Sequence, residues 1–591
     1  MAVNSAREDE LMREVPKKDT LFRLYRYLFD YKKTLTAVGL LLLVTLSITL
    51  AAPLMIELAV DTYVAQSDVP GLMRLAAVAF LLFLLFMFCT RKWMMLVADI
   101  TNRVLLTIRS QLYEHLQTLS FHFYDSRPTG KILARVVGDP NSLKDVLNDS
   151  VTKLIPDLLT IIGVSAIMLI KSWQLALAAL LTLPVLCGGM FVIQISAHKL
   201  WQIYRKKNSN LNAFIHESFS GIRIVQSFAA EPEKEADFDR CAGEYRSSFV
   251  DAVRVGDLFS ALVEITWGLG GFLLYFIGIR IVGADKIGVG TFLAFSTYLG
   301  MFWSPIRNLA SFYNKLVTNI SAAERIFDVL DTPAEITDRE GSYELPPVRG
   351  DVSFEHVNFA YTDEPDRLVL KDVSFSVKAG ETIALVGPTG AGKTTIVNLV
   401  SRFYDVVSGS VKIDGFDIHD VTMESLRRQM GVMTQDTFLF SGTIRENICY
   451  GKSDATEEEM IAAAKAVHAH DFIMETENGY DTQISERSAQ FSIGQRQLLA
   501  FARTMVSDPR ILILDEATSS IDTHTELLVQ AGIEAMLKNR TSFIIAHRLS
   551  TIRGADRIFY IDNQNIVEAG THEELMEKKG AYYRLYQSQF M

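Results

Sequence analysis

The sequence predicts a membrane all-α domain of six transmembrane helices with long cytoplasmic extensions, fused to an α/β domain built around a P-loop. Three observations carry that reading. Six apolar stretches, near 34–60, 72–98, 151–170, 173–195, 256–282 and 288–310, each supply the roughly 20 residues that cross a bilayer as helix, and none recurs beyond about residue 320. The chain is 49% hydrophobic yet 21% charged, too apolar for a soluble protein and too charged for a fully embedded one. From residue 351 the apolar pattern changes to short strands interleaved with helices, and one strand runs into a glycine-rich loop.

At 591 residues the chain exceeds any single packed core. Its net charge of −11 leaves no basic surplus to neutralise phosphates, so no nucleic-acid partner is expected. The four cysteines, Cys89, Cys187, Cys241 and Cys449, stand far apart without metal-ligand spacing and read as unpaired thiols. The first 33 residues, with Arg7, Glu8, Asp9, Lys17 and Lys18, are too long and too charged for a leader n-region, and no cleavage is expected.

Residues 1–33 are taken as a cytoplasmic N-terminus. Within it Leu21, Phe22, Tyr25, Leu28 and Phe29 recur at helical spacing between Lys and Arg residues, as in an interfacial helix or the start of a membrane helix. Lys32 and Lys33 precede the first span, whereas Asp61 to Gly71 after it hold no Lys or Arg, which places the N-terminus in the cytoplasm. The loops 99–150 and 196–255 are rich in Lys and Arg and face the same side. In 103–119, Val104, Leu105, Ile108, Leu112, Leu116 and Leu119 fall at helical spacing, so these loops read as helices prolonged beyond the membrane. The membrane domain is assigned to 34–320, a polar Pro- and Gly-containing linker to 321–350, and the α/β domain to 351–591. Its strands VSFEHVNFAY, ETIALVG, RILILDE and TSFIIAH predict a largely parallel sheet with an antiparallel part.

The strand Thr382–Val386 leads into Gly387, Pro388, Thr389, Gly390, Ala391, Gly392, Lys393, Thr394 and Thr395, a full GxxxxGK[ST] followed by a helical run. Glycines at 387, 390 and 392 let backbone N–H groups curl around phosphate oxygens. Lys393 reaches the β/γ-phosphates of ATP, and Thr394 can ligate Mg²⁺. The buried run Ile511–Leu514 ends in Asp515 and Glu516, which places one carboxylate at the Mg²⁺ shell and the next beside the γ-phosphate as candidate general base. These residues make the C-terminal part a P-loop ATPase domain.

With these motifs in place, residues 351–591 resemble the nucleotide-binding domain of an ABC transporter, and the whole chain resembles a bacterial half-transporter of the exporter type. Taken alone, Tyr361 would read as core or surface and His547 as a structural histidine. The resemblance implies that Tyr361 stacks on adenine, that Gln435 in MTQDTFLF senses Mg²⁺ and touches the membrane domain, and that His547 contacts the γ-phosphate. It also implies that the Ser519–Asp522 loop, with Asp522, crosses to a partner domain. FSIGQ, with Ser492, Gly494 and Gln495, stands where the family reads LSGGQ and would contact a partner's ATP.

Ile493 replaces the first glycine of that signature, and Ser485–Ser488 and Gln483 also depart from the family pattern. A β-branched side chain there restricts the backbone and adds bulk beside the phosphate. The resemblance therefore implies a second ABC half-transporter as partner, a heterodimer in which one ATP site is degenerate, with a homodimer left open.

The segments 121–139 and 212–233 resemble the transverse coupling helices of the exporters, with Phe121, Phe123 and Tyr124 suited to docking near Gln435. Glu264, in the fifth span, is a costly charge at bilayer depth and marks either a substrate cavity or a structural pair; Glu57, nearer an end, is less informative. Trp93, Trp201, Trp267 and Trp303 read as belt anchors or cavity walls.

The expected protein is a multi-pass component of the cell membrane with its ATPase domain in the cytoplasm. It exports small hydrophobic or amphiphilic compounds, drugs or lipid-like molecules, through the lipid bilayer at the expense of ATP. The alternatives are a dedicated lipid or peptide exporter, and an ATP-binding regulatory or channel-like subunit.

Overall fold

The structure is a computed structural model that describes residues 17–283, 288–362, 364–434, 437–485, 490–515, 523–546 and 549–590. These fall into two compact units, one formed by residues up to 116 with 130–331, the other by 117–129 with 332–591.

The first unit is all helix. Five of the six apolar stretches coincide with continuous helical runs, in Lys32–Val64, Val69–Thr118, Thr129–Lys171, Glu231–Arg280 and Val289–Asp331, and the fourth is split between Trp173–Leu180 and Leu183–Ser220. Four helical runs among the described residues, Lys32–Val64, Val69–Thr118, Thr129–Lys171 and Glu231–Arg280, are long and apolar enough to cross a membrane. The fourth stretch is interrupted, because Ser172 caps a short helix whose chain turns at Leu181 and Thr182 before the next begins at Leu183.

The expected extensions are present. Val69–Thr118 runs for 50 residues, roughly 75 Å at 1.5 Å per residue. Val104, Leu105, Ile108, Leu112, Leu116 and Leu119 are all buried, as their spacing predicts. Val104 and Ile108 pack with Leu143, Val146, Ile326 and Phe327 in one core. The helix Lys17–Phe29 joins that core through Leu24 and Leu28 and leaves Phe22 and Phe29 exposed, so it has one packed and one free apolar face. Among the described residues Cys89, Cys241 and Cys449 are free thiols, in line with their spacing.

The second unit is α/β. A six-stranded sheet runs in the order Asn565–Gly570, Arg557–Asp562, Thr382–Val386, Thr541–Ile545, Ile511–Asp515, Met430–Met433. All neighbours are parallel except the first pair. A four-stranded antiparallel sheet, which includes Val352–Phe359 and Leu370–Val377, covers one face. The continuous apolar runs follow from burial on both sides: Ile511, Ile513 and Ile545 enter the core shared with the antiparallel sheet, while Leu512, Leu514 and Ile544 enter the core under the helices.

Candidate functional site

The buried strand Thr382–Val386 sits between two parallel neighbours, so the loop that follows is held at the carboxyl edge of the sheet. Gly387, Gly390 and Gly392 adopt φ of +147°, +84° and +105°. A Cβ at Gly387 would stand 2.2 Å from the Ile561 carbonyl oxygen, so only glycine fits. Pro388, Thr389 and Gly390 are exposed at the mouth, and Ala391 donates its N–H to the Pro388 carbonyl. Gly392 opens the helix Lys393–Val400.

Lys393 is buried, and its Nζ donates to the carbonyls of Gly387 and Pro388, each at 2.8 Å. Desolvation lowers its pKa, and the Asp515 carboxylate works in the opposite direction. A phosphate in the loop can replace those two carbonyls as partner of the ammonium. Thr394 is exposed at the helix start, whereas Thr395 is buried and shares a 3.0 Å hydrogen bond with the Tyr361 hydroxyl.

Four neighbouring parallel strands end together. Leu385 pairs with Ile545, Ile545 with Asp515, and Leu514 with Met433. Gln435, Glu516, Asp522 and His547 lie outside the described residues. The residues that precede three of them, Thr434, Asp515 and Ala546, follow or close these aligned strands. Asp515 borders a cavity of about 30 Å³, room for about one water, shared with Thr434, Thr437 and Gln497. The carboxylate of Asp515 and the hydroxyl of Thr394 are hard oxygen donors of the kind that suits Mg²⁺. Among the described residues no three His, Cys, Asp or Glu side chains converge as a metal cage.

Gln497 was not anticipated. Its buried side-chain oxygen has no hydrogen-bond partner among the described residues, and the residue lines the same cavity. The signal was its position three residues after Gly494, on the buried face of the helix Ile493–Val506.

At the altered signature, Ser492 caps that helix. Its hydroxyl accepts from the Gln495 N–H at 3.2 Å, and its own N–H donates to Gln495 Oε1 at 2.9 Å. Gly494 is buried, while Ile493 opens the first helical turn with 44% of its surface exposed. The isoleucine is therefore compatible with the backbone here, and what it changes is the outer surface. Gln483 pairs with Thr443 in a two-residue strand, and 486–489 lie outside the described residues.

The second unit also holds residues 117–129 from the middle of the helical part of the sequence. The short helix Phe121–Asp125 seats Phe121 against Phe403, with ring centroids 5.2 Å apart. Arg427 lies over the same ring, 5.1 Å from its centre. Phe123 is buried, and Ser120 donates to Glu335 of the linker at 2.9 Å. The expected docking thus falls on Phe403 and Tyr404; Gln435, its anticipated neighbour, is outside the described residues. In the other expected coupling segment, Phe219, Ile224 and Phe228 are exposed.

In the helical unit, Glu264 is exposed on the helix Glu231–Ile277. Glu57 carries more contacts than its sequence position suggested. Its Oε2 accepts from Lys171 at 3.0 Å, and its Oε1 accepts from the Thr291 hydroxyl at 2.9 Å. Asp61, one turn on, accepts the N–H groups of Gly290 and Thr291 at 2.6 and 3.0 Å and so caps the helix Val289–Asp331. Trp93 is buried with no partner for its indole N–H among the described residues, while Trp267 is half exposed.

Comparison with known proteins agrees with both units. Residues 35–306 match the family model described as ABC transporter transmembrane region, and residues 370–519 match the one described as ABC transporter. The chain is 40% identical, over 98% of its length and 96% of the relative's, to YknV of Bacillus subtilis, named an uncharacterized ABC transporter ATP-binding protein. It is 38% identical to an ATP-dependent lipid A-core flippase of Syntrophus aciditrophicus, over 85% of this chain and 83% of that one. The structure of a bacterial Atm1-family ABC exporter with ATP bound superposes with a TM-score of 0.76 at 29% identity, covering 95% of this chain and 98% of the other.

Proposed function

Since this chain belongs to the ABC transporter family, we propose that it is one half of a two-chain exporter whose ATP sites are completed across the pair. The chain is a multi-pass membrane protein that couples ATP hydrolysis to export of amphiphilic compounds. The finer reading assigns residues 1–33 to a cytoplasmic arm, 34–320 to six crossings, 321–350 to a linker and 351–591 to the ATPase domain.

In this reading Gly387 to Thr395 cradle the phosphates, Tyr361 faces adenine, and Thr394, Gln435 and Asp515 hold Mg²⁺. That ion neutralises charge on the transferring phosphate when bound. Glu516 orients and deprotonates the attacking water, and His547 contacts the γ-phosphate. Ser492, Gly494, Gln495 and Asp522 face the ATP of the partner.

The observation that carries the proposal is the loop itself: three glycines in left-handed conformation, at the end of a central parallel strand, with Lys393 drawn inside. A heterodimer is favoured because Ile493 alters an exposed first turn and leaves this chain's own loop intact. Lipid-like amphiphiles are the substrate class to which the flippase relative points.

The test is ATPase rate and dye or lipid transport in proteoliposomes, for the chain alone and co-expressed with its genomic neighbour, with Glu516 intact or changed to Gln. Activity confined to the mixed pair and abolished by Glu516→Gln supports the proposal. Full activity of the chain alone overturns the heterodimer, and unchanged hydrolysis in Glu516→Gln overturns the assignment of the base.

A further inference from the structure

Within its apolar stretch the helix Glu231–Ile277 is exposed on two sides that differ in chemistry. Its packed face buries Thr266, Gly270 and Leu274, and a Cβ at Gly270 would stand 3.0 Å from the Leu299 side chain. Leu258, Ile265, Leu269, Phe272 and Phe276 make one exposed stripe at helical spacing, apolar throughout, as suits a surface that meets acyl chains. Asp257, Ser260, Glu264 and Gly268 make the other, which is small or polar throughout. Trp267, half exposed, borders it.

The neighbouring helix Val289–Asp331 repeats the division. Phe295, Tyr298, Leu299 and Phe302 are buried, whereas Thr297, Gly300, Ser304 and Arg307 recur at helical spacing on its exposed side. The two polar stripes adjoin, because a Cβ at Gly300 would stand 4.0 Å from the Trp267 indole nitrogen. Hydrocarbon offers no partner to a hydroxyl or a carboxylate, so adjoining polar stripes on two membrane helices line a path for water and solutes.

The charges along this groove are unevenly placed. Asp257 and Arg307, of opposite sign, stand near the cytoplasmic ends of the fifth and sixth crossings. Glu264 lies deeper, roughly 12 Å beyond the start of the fifth crossing at about 1.5 Å per residue. Among the described residues its carboxylate takes part in no ion pair or hydrogen bond. It is a negative charge without a counter-ion there, one helical turn from an indole ring. A Cβ added at Gly268 would meet nothing within 4 Å, so the space beside the carboxylate is open.

We propose that Glu264 and Trp267 form a subsite for the cationic head of an amphiphile, a quaternary ammonium or a phosphonium. The inference deepens the export reading and rests on it for the direction of movement. An acid at bilayer depth gains most from a partner of opposite charge. An aromatic ring attracts such a head without requiring it to donate a hydrogen bond, which suits a cation that carries no N–H. The polar stripe lies beside the apolar one on the same helix, so a ligand can rest its head at Glu264 and its body on Ile265 and Leu269. An anion of the same size would find the same apolar surface and be repelled by the carboxylate. The subsite therefore discriminates by charge.

The experiment uses the full transporter in nanodiscs and two probes of nearly equal shape and opposite charge, tetraphenylphosphonium and tetraphenylborate. Equilibrium binding of each is measured against empty nanodiscs, and ATP-driven uptake of the phosphonium is followed in proteoliposomes. Glu264→Gln should weaken tetraphenylphosphonium binding about tenfold, the loss of one contact to a charged group, and leave tetraphenylborate no weaker. Trp267→Leu should weaken the phosphonium about fivefold, and Glu264→Asp, which keeps the charge, should recover most of the binding. Unchanged phosphonium affinity in Glu264→Gln, or an equal loss for both probes, overturns the proposal. So does a Glu264→Gln transporter that assembles poorly from its halves yet, once assembled, binds the phosphonium as wild type does, because the carboxylate then serves the contact between halves. Charge-selective binding that depends on Glu264 without ATP-driven uptake overturns the export reading and keeps the subsite. ATP-driven uptake indifferent to residue 264 keeps export and overturns the subsite.

Discussion

Ile493→Gly restores the glycine that the altered segment lacks, and its cost and gain fall on different observables. The isoleucine is 44% exposed, so a little over half of its surface is buried. Complete burial of such a side chain is worth about 1.5–3 kcal/mol, which puts the loss near 1–1.5 kcal/mol. Glycine in a helical position adds about 0.5 kcal/mol relative to isoleucine. The variant should therefore lose about 2 kcal/mol, or roughly 4–8 °C in Tm for a domain of this size. On the other side, in the proposed pair a side chain is removed from the surface that would meet the partner's ATP. One hydrogen bond to a charged group is worth about 1.5–3 kcal/mol, and about 1.4 kcal/mol is tenfold in rate. The ATPase rate of the chain assembled with itself should thus rise at least tenfold. Phosphate release at 25 °C in nanodiscs, beside a melting curve, reads both effects. A variant that melts a few degrees lower but hydrolyses ATP at the wild-type rate refutes the argument and makes FSIGQ a tolerated signature.

Two further outcomes follow from the fold of the ATPase unit. Arg402 is 1% exposed and donates to the carbonyls of Ile418, Val421 and Thr337 and to Asp405. Arg402→Met strands these acceptors and should cost about 3–5 kcal/mol in a denaturant melt, and a loss below about 1 kcal/mol would contradict the assignment. His419 is held protonated, chiefly by its hydrogen bond to Asp405 and against its own desolvation, so its pKa is raised. A raised histidine pKa stabilises the fold fully below about 6.5 and stops doing so as pH climbs through the folded value. His419→Gln should therefore destabilise most in mildly acidic buffer and converge with wild type in alkaline buffer, and a gap independent of pH would exclude the charge as its source.

The nucleotide loop was legible because its chemistry is local. Nine consecutive residues from Gly387 to Thr395 carry the glycines, the lysine and the hydroxyls, and the preceding strand fixes where they sit. The packed face of the long helix was legible for the same reason, since Val104, Ile108, Leu112 and Leu116 need only helical spacing to align. The hydrogen bond from Tyr404 to Asp125 spans 279 positions, and no periodicity connects such residues. Glu57 reads from sequence as less informative and Asp61 as part of a connection, because acids at the end of an apolar stretch look like loop residues until Gly290 and Thr291 are brought to them. The turn at Leu181 and Thr182 was hidden because every residue from Leu175 to Leu181 is apolar and continues the pattern of a span.

Residues 117–129 belong to the second unit yet are translated some 200 positions before Thr332, where the rest of that unit begins. While the ribosome makes the remaining spans, the short helix at Phe121–Asp125 waits in the cytosol without Phe403 or Tyr404 to receive it. Its docking closes one of the longest loops in the chain, and contacts of such separation form late. A fragment beginning at the linker would be born without this helix, and its Phe403 and Tyr404 would meet water where the intact protein offers them a ring and a carboxylate.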